Sequence, residues 1–72
     1  MSKDEVAEQV YNFIRAYFKA HGFAPSLRDI SEGCYMSPSN VVRYLDKLEA
    51  RGWISREMRK PRSIALIEHE EV

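Results

Sequence analysis

From Lys3 to His21, hydrophobic positions recur at intervals of three and four: Val6, Val10, Phe13, Ile14, Tyr17 and Phe18 share one arc, and Glu8, Asn12, Arg15 and Lys19 fall opposite. That period predicts an amphipathic helix whose apolar stripe faces a core. Ser2 is placed to cap its start, Asp4 and Glu5 suit the positive end of the helix dipole, and Gly22 stands where a left-handed residue would end it. Phe23-Ala24-Pro25 is extended, because the residue before a proline is pushed out of the helical region. A second helix is expected from Ser26 to Gly33, with Ser26 and Asp29 spaced as a variant capping box and Leu27 and Ile30 on the buried face. The third start is sharper. Ser37 is the cap, Pro38 takes the first helical position where its missing N–H costs nothing, and Gly52 closes a helix that runs through Arg51. At about 100° per residue, Val41, Leu45 and Leu48 cluster inward with Tyr44 at their margin, while Ser39, Val42, Arg43, Asp46 and Ala50 point outward.

Beyond Gly52 the pattern shortens. Trp53, Ile54, Ile64 and Leu66 anchor two strand-like runs around a basic loop, Arg56 to Arg62, in which Pro61 blocks edge pairing and stiffens the chain. The predicted fold is therefore mainly α with a small β-hairpin, a three-helix winged helix-turn-helix over residues 1–67, followed by an acidic tail over residues 68–72. Its 72 residues make one small domain, near the size where a single core only just offsets chain entropy.

Composition narrows the class. Hydrophobic residues are 44% and charged residues 31% of the chain, a globular balance that needs no metal to build a core. One cysteine, Cys34, cannot form an internal disulfide and reads as a small, partly buried residue. With no apolar run long enough for a signal peptide or a membrane span, the expected location is the cytoplasm, in association with the nucleoid. His21 sits at a helix end and His69 in the tail, and neither has a cysteine or carboxylate at metal-ligand spacing. No catalytic residue, metal, cofactor or small-molecule substrate is expected, so the enzyme reading falls away.

Net charge is zero, which taken alone argues against a nucleic-acid partner. The distribution reverses that inference. Arg51, Arg56, Arg59, Lys60 and Arg62 face a single acid, Glu57, within twelve residues, whereas Glu68, Glu70 and Glu71 crowd the tail. Because charges at physiological salt are screened over about 8 Å, the loop acts on its own local field.

A helix in the major groove reads bases with outward side chains near its N-terminus. Arg43 suits guanine, Asn40 suits adenine, Val42 fits a thymine methyl, and Ser39 can meet a base edge or a phosphate. Arg56, Arg59, Lys60 and Arg62 on a protruding hairpin suit the backbone or the minor groove. Arg28, on the helix that crosses the backbone in such folds, is a further phosphate candidate. A solvated polar helix face and a hairpin charged only for solubility are the plain alternatives, and it is their adjacency that favours DNA.

Three segments, Phe23-Ala24-Pro25-Ser26-Leu27-Arg28-Asp29-Ile30, Ser37-Pro38-Ser39-Asn40-Val41-Val42-Arg43-Tyr44-Leu45 and Lys60-Pro61-Arg62-Ser63-Ile64-Ala65-Leu66, resemble in register the N-terminal DNA-binding domain of LexA repressors. The likeness runs from about Val6 to Leu66. It implies that Ser39, Asn40, Val42 and Arg43 contact operator bases, and that Ser26 and Ser37, opening the second and third helices, join Arg28 and the wing at the backbone. The family usually places an apolar residue and then glycine between helices two and three, where this chain has Gly33 and Cys34. LexA repressors continue into a self-cleaving peptidase domain, whereas this chain stops soon after the wing. The expectation is a stand-alone transcriptional regulator of bacterial, plasmid or phage type, without self-cleavage, that binds double-stranded DNA and self-associates weakly or on DNA. The competing expectation is a winged-helix adaptor for proteins, using Tyr35, Met36 and Met58 as apolar contacts.

Overall fold

The computed structural model describes residues 3–57 and 63–67. Helix α1 spans Lys3–His21, α2 spans Leu27–Gly33 and α3 spans Pro38–Ala50; strand β1, Ile54–Ser55, pairs antiparallel with β2, Ala65–Leu66. The register sets Ile54 opposite Leu66 and Ser55 opposite Ala65. This is the predicted order of three helices and a hairpin. Ser2, Met58, Arg59, Lys60, Pro61, Arg62 and the acidic tail from Glu68 lie outside the described residues. Among the described residues no helix is long and apolar enough to cross a membrane.

All three helices end by the same device. Gly22 takes φ 78° and its N–H donates to the Phe18 carbonyl at 2.8 Å, closing α1. Gly52 takes φ 77°, with Gly52 N–H on the Glu49 carbonyl and Trp53 N–H on the Leu48 carbonyl, both at 3.0 Å, the paired bonds of a Schellman ending for α3. For α2 the left-handed position falls on Tyr35, φ 55°, where Met36 N–H donates to the Ser31 carbonyl at 3.1 Å. The Ser31 hydroxyl also donates to the Met36 carbonyl, so the turn into α3 is tied twice.

The core lies where the helices meet the first strand. Val41, Leu45 and Leu48 of α3 are fully buried, as their spacing predicts, against Ile30 of α2 and Ile54 of β1. On α1 the buried set is Ala7, Val10, Tyr11 and Ile14, so the inward stripe is rotated from the expected arc. Phe13 and Phe18 are only partly covered and pack at the margin of the core. Each fully buried aliphatic side chain contributes about 1.5–3 kcal/mol of transfer free energy. Leu27, expected inside, is 42% exposed. It is the first residue after the cap, and Ala24 and Pro25 just before the cap are buried instead.

Gly33 has a packing role. A Cβ there would lie 2.1 Å from the Phe13 ring. Phe13 thus occupies the volume that a side chain at position 33 would need.

Candidate nucleic-acid interface

Helix α3 is held by its start and its inner face. Ser37, in an extended conformation, accepts the Asn40 N–H at 3.3 Å through its hydroxyl, and Pro38 follows at the first turn. With Val41, Leu45 and Leu48 anchoring one side, Ser39, Asn40 and Arg43 stand exposed on the other, and Val42 is half-buried. Asn40, Arg43, Tyr44 and Lys47 line one shallow depression along the helix. The Lys47 ammonium lies 5.7 Å over the Tyr44 ring. Among the described residues no carboxylate pairs with Arg43, so its guanidinium fork is available for a flat hydrogen-bonding edge. Tyr44 and Lys47 were not among the expected site residues. Their spacing from Asn40, four and seven residues, is the signal that places them on its face.

Helix α2 approaches with its own capped start. Ser26 accepts the Asp29 N–H at 3.1 Å, and Asp29 Oδ2 accepts both the Ser26 N–H at 3.0 Å and the Tyr17 hydroxyl at 3.1 Å. The capping box is complete, and Tyr17 adds a bond from α1 that fixes where α2 begins. A serine hydroxyl that accepts a backbone N–H still carries a proton to donate, so Ser26 and Ser37 can cap and also reach a phosphate oxygen. Arg28 pairs with Glu32 one turn on, at 3.2 Å, with both side chains largely exposed. Such a pair is weak and exchanges readily for another anion.

The wing differs most from expectation. Arg56, expected on phosphate, turns inward: its guanidinium pairs with Asp46 and, at 3.3 Å, with Glu49, both on α3. Its side chain is only 14% exposed. At the hairpin mouth the Ser63 hydroxyl accepts the Glu57 N–H at 3.0 Å and donates to the Glu57 carbonyl at 2.7 Å. Arg59, Lys60 and Arg62 lie outside the described residues. Trp53, at the root of the wing, rests on Tyr11 with ring centroids 5.0 Å apart, in keeping with an anchoring role.

Remaining candidates for chemistry are placed plainly. Burial pushes the Cys34 thiol up, toward the protonated and unreactive form. His21 stacks on Tyr17 at 4.1 Å and borders Phe23 at 5.7 Å. Tyr35 is 95% exposed and Met36 is half-buried.

Residues 5–63 match the family model of the LexA DNA binding domain. The LexA repressor of Clostridium kluyveri is 46% identical over 61 residues, which cover 83% of this chain and 30% of that protein. The LexA repressor of Thermosipho melanesiensis is 33% identical over 67 residues, covering 93% and 34%. That of Staphylococcus aureus is 35% identical over 60 residues, covering 82% and 29%. The chain spans about a third of the length of the curated relatives it matches. Carrying the capped second and third helices and the hairpin on which the resemblance rests, the chain belongs to the LexA DNA-binding domain family.

Proposed function

We propose that the chain binds double-stranded DNA sequence-specifically as the DNA-binding domain of a transcriptional repressor, with α3 in the major groove and the wing beside it. The observation that carries this reading is the outer face of α3, where exposed Asn40 and Arg43 stand beside Lys47 on a helix whose opposite side is locked into the core. In this role Arg43 donates in pairs to guanine, Asn40 bonds adenine, Ser39 takes a base edge or phosphate, and Val42 offers its methyls to thymine. Ser26, Ser37 and Arg28 hold the backbone where α2 crosses it, and Arg59, Lys60 and Arg62 grip phosphate from the wing. Lys47 extends the contact toward the end of α3.

One module of this size reads few base pairs, so a pair of half-sites about one helical turn apart, bound by two copies, is part of the proposal. The test is selection from random duplexes, followed by affinity measured against salt. With four or more phosphates engaged, the log-log slope should be about −3.6 or steeper, at about −0.9 per contact. Undetectable binding to mixed duplexes at low salt would instead favour a protein-binding adaptor. The exposed face of Tyr35 is that reading's support, and the cationic stripe on α3 weighs against it.

A further inference from the structure

Arg56 sits at the exit of β1, yet its side chain is only 14% exposed, between carboxylates that are 62% and 42% exposed. Resting on the DNA-binding reading above, we infer that Arg56 is not a phosphate contact but a positioning residue: it screens the acidic flank of α3, Asp46 and Glu49, and thereby fixes the wing against the recognition helix. The geometry makes the two roles inseparable. Around α3, at about 100° per residue, Asn40, Arg43 and Lys47 form one stripe and Asp46 and Glu49 another, turned toward the wing. A helix laid in the major groove has phosphates on both sides, so two bare carboxylates on one flank would repel the strand that the wing must follow. The planar guanidinium reaches Asp46 through Nη2 and Glu49 through Nε at once, which a lysine ammonium on a flexible stem cannot reproduce. The β1–β2 ladder is only two pairs long and cannot by itself hold the hairpin's angle to α3, so the ion pairs add a constraint where the strands supply little.

The test combines a spectroscopic readout on the wild-type chain with a charge cycle. In the nitrogen-edited NMR spectrum of the unaltered protein, the Arg56 Nε–H signal should be slow to exchange in the free state and stay in place as duplex is added, while the Arg43 Nε–H signal moves. Movement of Arg56 as large as that of Arg43 would overturn the inference without any variant having to fold. Arg56→Gln should weaken duplex binding by about fivefold to tenfold, with Arg56→Lys in between, and Asp46→Asn with Glu49→Gln added to Arg56→Gln should recover most of the loss. The same two neutralisations in the wild type should matter far less. If Arg56 holds a phosphate instead, the acidic replacements raise affinity equally with and without Arg56, and Arg56→Gln makes the salt slope shallower by about 0.9. That result, or an Arg56→Gln variant that binds like wild type, sinks the proposal. Failure of the wild-type protein to bind any duplex at low salt would remove the DNA reading and the screening role with it. The Arg56 exchange rate in the free protein would then still report whether the clamp to α3 exists.

Discussion

Tyr35 occupies the left-handed position that Gly22 and Gly52 take at the ends of the other two helices. A side chain there crowds the following carbonyl and costs about 1–2 kcal/mol that glycine avoids. With 95% of Tyr35 in solvent, little packing offsets that cost. Tyr35→Gly is therefore expected to stabilise the domain by about 1 kcal/mol, a rise in melting temperature of about 4–8 °C at this size; an unchanged or lower midpoint would mean that the ring makes a stabilising contact. Gly33 is the reverse case. Its neighbour is the Phe13 ring, so Gly33→Ala should lose about 1–3 kcal/mol in urea unfolding and recover part of it with Phe13→Leu. At the interface, Arg43→Ala is expected to lower affinity by about 1–3 kcal/mol and to relax preference at one base position. Equal losses on selected and scrambled duplexes would show that Arg43 is not reading bases. Neither Gly33's contact nor Arg56's inward turn was legible from the sequence, because each depends on a residue from another element: nothing near Gly33 in the chain announces Phe13, twenty positions earlier.

Elements were far more legible than their contacts, since their signals are local. Ser37-Pro38 and Ser26 with Asp29 marked the starts of α3 and α2, and Gly22, Gly33 and Gly52 marked the three helix ends, although at α2 the left-handed position falls beyond Gly33 on Tyr35; these signals act through backbone chemistry within five residues. The rotation of the inner stripe of α1 was not legible. Ala7 and Tyr11 carry weak hydrophobic signals, and Tyr11 meets the ring of Trp53, which lies beyond α3 in the chain. The expected arc favoured the larger aromatic residues instead. Of the two caps, Ser37 borders the candidate interface, so Ser37→Ala should cost about 1 kcal/mol of stability and also weaken DNA binding. Chemical denaturation and a duplex titration on the same sample separate these losses. For the wing, Ser63→Ala removes both bonds to Glu57 and should speed hydrogen exchange at the Glu57 amide while leaving the α3 core amides unchanged.

Over the whole molecule, zero net charge coexists with a DNA-binding family because opposite charges are gathered in different places. The stripe on α3 is cationic, and the nearest acids on that helix are drawn toward Arg56. The expected consequence is steep salt dependence on DNA with little non-specific adhesion to other surfaces. Assembly follows from size. Analytical ultracentrifugation with a two-half-site duplex should give two protein copies per DNA and mainly monomer without it; a strict one-to-one complex at saturating protein would refute the paired-site proposal.

Trp53 gives the fold a property of a different kind. It is the only tryptophan of the chain, half-buried where α3 hands over to the wing, with Tyr11 of α1 against one side and the Arg51 guanidinium 5.8 Å over its ring. Its light emission is therefore an optical gauge of a single joint. If the domain melts as one unit, emission and helical circular dichroism should trace the same transition. A shift in emission at lower denaturant would reveal that the wing root lets go while the three helices still stand, without any added label.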